Sequence, residues 1–397
     1  IIDLSKNAHQ PMKNKDASLW IVYNGEIYNF GQLRKELIAL GHSFISCSDT
    51  EVILHAYEHW GIECLHRLDG MFAFAIWDKE RQSVFLATDR FGMKPLYYHH
   101  STDGLFVFAS ELRVILDSGF VEKRVEPSAV DSFLAYGAVQ APLTMVPKVF
   151  SLLPAHYLIY NYKRNDVYIS PYWRPSDSVP AKPLPAKEVF VNLRTILRNV
   201  VRRHLVSDVP VGLFLSGGID SSSVVILASE LTKGALESFS VTFQESVFSE
   251  EKYSQLIAKL YCKNHRDIKI SEQDLLNSLP LALKAMDQPT IDGINVYMIS
   301  RLVHNAGVKV VLSGQGGDEV FGGYSTFKRI PQIQMFRRLL FFLPSFMREY
   351  IGKLIVGQNH YHTMMAKIAQ ILQSDGDYFS LYLVSRQLFS SRARTSL

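Results

Sequence analysis

The sequence is poor in cysteine and in long apolar runs, and each shortage excludes a class of protein. Its 397 residues include only three cysteines, Cys47, Cys64 and Cys262, which are widely spaced and odd in number. That pattern suits a reducing compartment and excludes a disulfide scaffold or a cysteine-rich zinc module. No signal peptide is visible, and the apolar run at residues 339–344 is far below the roughly 18 residues of a membrane span. We therefore expect a cytoplasmic protein.

An excess of charge of one sign is also missing. Lysine and arginine number 42 against 38 aspartates and glutamates, a net charge of +4. This is too small to predict a nucleic-acid or membrane partner. Apolar residues make up 47% of the chain, enough for sizeable cores and too many for a disordered protein. At about 150 residues per domain, the length predicts two or three domains.

The first 173 residues carry short alternating runs, typical of an α+β domain with an antiparallel core. The predicted elements are strands at 1–4, 19–23, 71–77, 84–87 and 106–109 and helices at 31–40 and 49–60. Between apolar residues, Asn24-Gly25 predicts either a type I′ hairpin turn or an oxyanion hole made of the Asn24 amide and the Gly25 N–H. In the second case Glu26 and Asp49 could bind a substrate ammonium group.

Residues 174–187 contain Pro175, Pro180, Pro183 and Pro185, which predict a linker between two domains. From residue 188 onward, unbroken apolar strands alternate with helices, which predicts a parallel sheet covered on both faces. The predicted elements are strands at 211–215, 237–243, 267–270 and 308–312 and helices at 189–204, 221–231 and 250–260. We therefore expect a front domain at 1–173, a linker at 174–187 and a back domain at 188–397.

The string SGGIDS, residues 216–221, lies directly between a predicted buried strand and a helix. Its two glycines allow a tight turn with exposed N–H groups, and the helix begins with its positive end facing that turn. The loop therefore predicts an anion site to which Ser216 and Ser221 add hydroxyl donors. The carboxylate of Asp220 fits such a site if it holds Mg²⁺ against phosphate oxygens. The spacing is not that of a Walker A loop, which needs a lysine before Ser/Thr. The loop resembles the pyrophosphate loop of the ATP pyrophosphatase group.

A second glycine-rich loop, SGQGGDEVFGGY at residues 313–324, follows a later strand. Loops that follow parallel strands meet at the same edge of the sheet, where ligands bind in open α/β folds. Asp318 is a candidate second ligand for the metal or a pyrophosphate-side group. The alternative is an ordinary surface loop.

Several longer strings share a resemblance with one family. The strings IIDLS, HQPM, YNGEIYN, SDTEVILHAYEHWG, LDGMFAFAIWD and DRFGMKPLYY resemble the glutaminase half of the asparagine synthetase (glutamine-hydrolysing) family. The two glycine loops follow in that family's order, and the resemblance covers the chain to about residue 328. It implies an N-terminal-nucleophile glutaminase domain, an antiparallel sandwich, joined to an ATP pyrophosphatase domain of the adenine nucleotide alpha hydrolase-like kind.

The resemblance also implies a reaction and its small-molecule substrates. Glutamine hydrolysis releases ammonia, which passes internally to a site where ATP and Mg²⁺ activate a carboxylate. The acceptor it implies is L-aspartate, which becomes β-aspartyl-AMP and then asparagine, with release of AMP and pyrophosphate. The oligomeric state is left open, with a homodimer as one option.

By position, the resemblance implies roles for individual residues. The oxyanion hole is Asn24 and Gly25, and the residues that would bind glutamine are Ile1, Ile2, Asn24, Gly25, Glu26 and Asp49. The residues that would bind ATP are Leu215, Ser216, Gly217, Gly218, Asp220, Ser221, Val241, Ser313 and Gly314. Asn24, Gly25, Asp220 and Ser221 are the candidate catalytic residues, and Asp220 and Asp318 are the candidate Mg²⁺ ligands.

The chain departs from the family pattern in four places. The nucleophilic cysteine is absent from the sequence, as is an arginine that would precede Ile1, and we expect both ends to be cut. Gln315 stands where the family often has an acidic residue. Residues 290–295 replace a Thr-x-Arg-Ala-Ser stretch that binds aspartate. These departures leave two alternatives open, a different carboxylate such as a sugar acid, or an inactive nucleotide-binding regulatory protein.

Two weaker patterns favour structural roles. His55 and His59 are four residues apart on a predicted helix with Glu58 between them, but no third metal ligand is evident and the order is not that of a zinc-protease helix. Solvated or capping histidines are the favoured interpretation. The arginines at 194, 198, 202 and 203 predict a solvated face or an interdomain contact rather than a nucleic-acid site.

Overall fold

The computed structural model describes residues 1–395 except 180–183, 234, 244–250, 341–346, 348–349, 352–362 and 375–376. Its strands are β1 Met12–Lys13, β2 Leu19–Ile27, β3 Gly70–Asp78, β4 Ser83–Thr88, β5 Tyr97–His100, β6 Phe106–Ala109, β7 Val149–Ser151, β8 His156–Asn161, β9 Asp166–Pro171, β10 Val211–Phe214, β11 Glu237–Phe243, β12 Asn264–Ile270 and β13 Val310–Leu312.

Its helices are α1 Phe30–Ala39, α2 Asp49–Trp60, α3 Cys64–Arg67, α4 Leu112–Asp117, α5 Pro127–Tyr136, α6 Ala186–His204, α7 Ile219–Thr232, α8 Glu251–Tyr261, α9 Glu272–Ala285, α10 Gly293–Asn305, α11 Gly317–Phe321 and α12 Thr326–Leu340, followed by Thr363–Gln373, Tyr378–Arg386 and Ser391–Thr395. Short 3₁₀ helices lie at Lys6–Ala8, Gly61–Glu63 and Pro175–Ser178. Among the described residues, no helix is both long enough and apolar enough to cross a membrane.

The front half is built on antiparallel sheets, as the alternating runs predict. Strands β1-β2-β3-β4-β8-β9 form one sheet and β6-β5-β7 form another. Ala73, Ala75 and Leu86 on the larger sheet pack with Leu96 and the partly buried Phe108 in an apolar layer between the two. The opposite face of the larger sheet packs against α1 and α2 through a second apolar cluster. This arrangement confirms the predicted α+β sandwich.

Two local predictions in this half are wrong. Residues 1–4 are not a strand, because Asp3 has a left-handed backbone (φ +60°) and its carboxylate accepts hydrogen bonds from the N–H groups of Ser5 and Cys47. Asn24-Gly25 is not a hairpin turn, because β2 continues through both residues and pairs with β3 from Leu19 to Ile27. The turn preference of Asn-Gly is overridden by the long-range pairing of these strands.

The back half contains the predicted parallel sheet, with strand order β12-β11-β10-β13. One apolar cluster joins α6, α7 and α8 to one face of the sheet, and a second joins Val303 of α10 to Phe239 on the other. Helices therefore cover both faces, as predicted. Strand β10 lies between β11 and β13, so the loops that follow β10 and β13 are neighbours.

The two halves contact each other directly. Asp287, after α9, accepts hydrogen bonds from the backbone N–H groups of Leu112 and Arg113. Arg203 near the end of α6 forms an ion pair with Asp69, which confirms an interdomain contact on the basic face of that helix. Helix α6 begins at Ala186, so the part of the predicted linker nearest the back half is helical.

Candidate functional sites

The first candidate site lies where the end of β2 meets the start of α2. Glu26 and Asp49 are 7% and 4% exposed, so both carboxylates are buried. Ser48 caps α2 by accepting a hydrogen bond from the Thr50 N–H, and the helix begins at Asp49 as predicted. Asp49 Oδ2 accepts hydrogen bonds from the Ile27 N–H and the Tyr23 hydroxyl, both at 2.9 Å. Long-range packing of α2 on β2 therefore brings the two predicted acids together.

These acids carry the electrostatic signature of a cation site. Burial raises the pKa of Glu26, and the negative charge of Asp49 raises it further. Burial also raises the pKa of Asp49, against the hydrogen bonds from Ile27 and Tyr23. Glu26 Oε1 is buried and has no hydrogen-bond partner among the described residues, while Oε2 lies 3.1 Å from the backbone nitrogen of Ile1. A buried carboxylate oxygen without a partner is costly, so an ammonium group at this position would be stabilised.

The neighbouring strand β3 lies so close to Gly25 that only a glycine fits at this position. A Cβ at this position would lie 2.8 Å from Phe72 Cα in β3 and 2.9 Å from a ring carbon of Tyr23. Any other residue would push β2 and β3 apart, because real Cβ atoms do not approach so closely. The glycine thus lets the backbone of β2 lie flush with β3 beside the two acids.

Asn24 occupies the other face of β2 from Tyr23. Its side chain is exposed and, in the described part of the chain, makes no hydrogen bond. With Gln10, Val22 and Ser110 it lines a cleft of about 250 Å³ between the two sheets of the front half. The Ile1 nitrogen contacts Glu26, whereas Ile2 is half-buried and makes no polar contact with either acid within the described residues.

Three residues that position this site, Tyr23, Gln10 and Asp89, are not identified from the sequence. Tyr23 holds Asp49, and Gln10 accepts a hydrogen bond from the Tyr23 N–H at 2.6 Å. Asp89 is 1% exposed and accepts hydrogen bonds from the N–H groups of Phe72, Phe91, Met93 and Lys94. Asp89 begins a tight turn that the Gly92 N–H closes on the Asp89 carbonyl, and an aspartate with a glycine three residues later is the local signal that could identify it.

The second candidate site is the loop between β10 and α7. Its conformation depends on Gly217, whose φ of +92° lies in the left-handed region. Ser221 Oγ accepts a hydrogen bond from the Ser216 N–H at 3.2 Å and lies 2.9 Å from Ser216 Oγ. Leu215 beneath the loop is buried and donates its N–H to the Phe239 carbonyl of β11. The contacts between Ser216 and Ser221 thus hold the loop in its conformation above the sheet.

The loop that follows β13 packs against this one. A Cβ at Gly314 would lie 2.6 Å from the Ser221 nitrogen and 2.8 Å from the Asp220 carbonyl carbon, and a Cβ at Gly317 would lie 2.9 Å from Asp220 Cβ. Both glycines are therefore required by the close approach of the two loops. The structure thus brings Ser313-Gly314 beside Asp220 and Ser221, as the positions of the strands predict.

The remaining predicted residues surround this junction. Asp220 is half-buried in the first turn of α7, and Asp318 is exposed in the first turn of α11, directly after Gly317. Val241 lies on the adjacent strand β11, paired with Ile268 of β12. Gln315 is exposed and donates its N–H to Ser313 Oγ at 3.4 Å. The carboxylates, hydroxyls and loop N–H groups together form a surface that is rich in oxygen atoms and in hydrogen-bond donors.

Comparison with known proteins agrees with the two halves of the fold. The glutamine amidotransferase domain family matches residues 1–173, and the asparagine synthase family matches residues 192–383. The solved structure of a glutamine phosphoribosylpyrophosphate amidotransferase from B. subtilis covers 66% of this chain and 64% of its own at 16% identity, with a TM-score of 0.31, too low to support any argument.

Curated relatives extend over most of the chain. Asparagine synthetase (glutamine-hydrolyzing) 1 of Bacillus subtilis is 35% identical over 85% of this chain and 53% of its own length. A Methanocaldococcus jannaschii protein provisionally named asparagine synthetase (glutamine-hydrolyzing) 2 is 34% identical over 90% of this chain and 70% of its own length. The chain thus spans about half the length of the Bacillus relative. It belongs to the glutamine-hydrolysing asparagine synthetase family.

Proposed function

We propose that this chain carries the glutamine-binding and ATP-binding parts of an amidoligase. In the complete protein, glutamine hydrolysis in the front half supplies ammonia to the back half, where ATP activates a carboxylate, most simply that of L-aspartate. The observation that carries the proposal is the pairing of two sites in one chain. One presents a buried, partnerless carboxylate oxygen, and the other presents two glycine loops packed on Asp220.

In the front half, Glu26 and Asp49 would bind the α-ammonium group of glutamine. The charge of the ligand compensates the burial of both acids, and Glu26 Oε1 gains the hydrogen bond that it lacks. The Asn24 amide and the Gly25 N–H would donate to the oxyanion that forms on the side-chain carbonyl of glutamine. Because the Asn24 side chain has no partner among the described residues, it can donate without first breaking a bond.

In the back half, the loop at Ser216–Ser221 would bind the diphosphate end of ATP. The N–H groups at the start of α7 and the two serine hydroxyls are donors, and the helix end adds a partial positive charge. Leu215, Val241, Ser313 and Gly314 would line the nucleotide site. A carboxylate is a poor electrophile, whereas its mixed anhydride with AMP has a good leaving group, so these donors would stabilise the charge that develops on pyrophosphate.

The residues at the loop junction fit Mg²⁺. They supply carboxylate oxygens from Asp220 and Asp318, and Mg²⁺ uses one or two carboxylates together with phosphate oxygens and water. A Cβ at Gly317 would clash with the Asp220 carboxylate, so the glycine lets that carboxylate lie directly against the second loop. When bound there, the ion would supply charge neutralisation of the phosphates.

Substitution of Asp220 by Ala in the complete protein tests the proposal. We expect pyrophosphate release to be abolished and glutamine hydrolysis to continue, because Asp220 lies only in the back half. The measurements are pyrophosphate release and glutamate formation on the same preparation. Retained pyrophosphate release would contradict the role of Asp220.

The acceptor is tested separately, because residues 290–295 depart from the family's aspartate-binding pattern. Here Thr290 bridges to Ala138 and the Ile291 N–H bonds to the Gly137 carbonyl, so this segment contacts the front half. Aspartate-dependent AMP formation supports L-aspartate as the acceptor. AMP formation with sugar acids instead would identify a different carboxylate, and pyrophosphate release with neither would favour a nucleotide-binding regulatory protein.

A further inference from the structure

A histidine and carboxylate cluster lies on the front half, outside both sites. His55 and Glu58 are one turn apart on α2, and His42 approaches them from the connection between α1 and α2. The cluster is on the order of 10 Å along the helix from Asp49, at 1.5 Å per residue. Within the described part of the chain, these three histidine and carboxylate side chains lie close enough together to bind one metal ion.

The three side chains present their ligand atoms to one another. Glu58 Oε2 lies 2.7 Å from His55 Nδ1 and 3.4 Å from His42 Nδ1. One ligand atom from each residue lies within 4.8 Å of the other two. Ligands of a tetrahedral zinc ion, bound at about 2.0–2.2 Å, are separated by roughly 3.3 Å. Small side-chain adjustments would therefore place all three around one ion.

The nitrogen and oxygen atoms of these side chains that point away from the centre of the cluster already lie near other residues. Glu58 Oε1 accepts a hydrogen bond from Asn14 Nδ2 at 3.0 Å, which turns Oε2 toward the histidines. His42 Nε2 lies 3.2 Å from His59 Nδ1, and His55 Nε2 lies 3.8 Å from Glu51 Oε1. Each imidazole thus directs one nitrogen to the centre and the other to a partner, which is how metal-binding histidines are usually oriented.

We propose that His42, His55 and Glu58 bind a divalent transition-metal ion of the Zn²⁺ class. Two imidazoles and one carboxylate are a donor set that suits Zn²⁺, with water in the fourth position. His55 is 7% exposed, so the ion would be shielded on one side, and Glu58 is exposed, so it can enter from solvent. The sequence pattern alone pairs His55 with His59, whereas the fold replaces His59 by His42 as the inner ligand.

The ion would act structurally. It would tie the connection between α1 and α2 to the body of α2, and that connection leads to Ser48 and Asp49. Glu51 already anchors this segment by accepting hydrogen bonds from the N–H groups of Ile45 and Ser46 at 2.9 and 2.8 Å. A metal at His42 would add a second anchor on the same segment.

Calorimetric titration of the chelator-treated complete protein with Zn²⁺ alone tests the site. We expect one ion per chain and, with Co²⁺ in place of Zn²⁺, the visible absorption of a tetrahedral complex. His42→Gln and Glu58→Gln each remove a ligand from a side chain that is not fully buried, so both should fold. Each should weaken Zn²⁺ binding by at least about tenfold.

The matched control is His66→Gln. His66 and Glu63 form a pair with the same spacing as His55 and Glu58, but on the exposed surface and outside the cluster. Zn²⁺ affinity and stoichiometry should be unchanged in this variant. Absence of Zn²⁺ uptake by the wild type, equal uptake by all variants, or loss of binding in His66→Gln would each overturn the proposal.

Discussion

Glu26 and Asp49 in the front half are almost fully buried, whereas Ser216 and Asp318 in the back half are exposed to solvent. The front site is built from side-chain charge, on elements that are distant in the sequence. The back site is built mainly from backbone N–H groups in loops, with glycines where the loops touch. Both lie at the ends of strands, but they favour ligands of opposite charge.

The difference follows from what each ligand brings. A glutamine molecule carries a single ammonium group, and a buried carboxylate can bind it strongly because little water competes. A nucleotide carries several negative oxygens, which need many donors, and a helix start with a glycine loop supplies them without burying any side-chain charge. We therefore expect the front site to be sensitive to single side chains and the back site to be sensitive to backbone space.

The largest expected effect is at Asn24. Asn24→Ala removes one oxyanion donor, and such a loss typically lowers kcat by about 10²–10³. Glutaminase kcat should fall by that factor with little change in KM for glutamine, and synthesis from added ammonia should be preserved. Val22→Ala, on the same face of β2 and lining the same cleft, is the control and should retain glutaminase kcat. Equal losses in both variants would contradict the donor role.

In the back half, Gly317→Ala tests whether the activity of the site depends on the space between the two loops. The added Cβ would lie 2.9 Å from Asp220 Cβ, and overpacking of this kind costs about 1–3 kcal/mol, which is roughly 5–150-fold in rate if the cost falls on the transition state. Pyrophosphate release should fall by that factor while glutamine hydrolysis is unchanged. Gly31→Ala is the control, since the described residues leave open space around Gly31 and its φ is not positive. An unaffected Gly317→Ala protein would show that the loops can move apart.

The back site is the more predictable of the two from sequence. Its strand, loop and helix are contiguous, so the string SGGIDS contains nearly all of the local geometry, and the bounds of α2 and β6 are equally clear from periodicity. Gly25 is different, because what requires a glycine there is Phe72 on another strand. Asp49 contacts Tyr23, and Glu58 contacts His42 in addition to its helix neighbour His55. Such contacts depend on tertiary packing that no local pattern encodes.

The charge of the front site is tested by Glu26→Gln. The neutral side chain should raise KM for glutamine by about tenfold or more, because a hydrogen bond between charged groups contributes about 1.5–3 kcal/mol. The exposed Glu63→Gln is the control for both KM and stability.

The same variant has a predicted pH dependence. Burial raises the pKa of Glu26, so the folded chain holds this proton more tightly than the unfolded chain. Its contribution to the free energy of unfolding therefore decreases as pH rises from the ordinary carboxyl range through the raised pKa. Relative to wild type, Glu26→Gln should become more stable across that window, as measured by denaturant midpoints. A midpoint difference that does not vary with pH would contradict the raised pKa.

The smallest expected effect is that of Tyr23→Phe, which removes the hydroxyl donated to Asp49 but keeps the ring. The ionised form of Asp49 loses one of its hydrogen-bond donors, so the pKa of Asp49 should rise above its already raised value. The free energy of unfolding should drop by about 1 kcal/mol at neutral pH, and this difference should vanish at low pH, where Asp49 is protonated in both proteins. Tyr98→Phe is the control, because burial alone raises the pKa of Tyr98 and its hydroxyl has no hydrogen bond within the described residues. A loss of stability that persists at low pH would mean that Tyr23 acts through packing and not through the charge of Asp49.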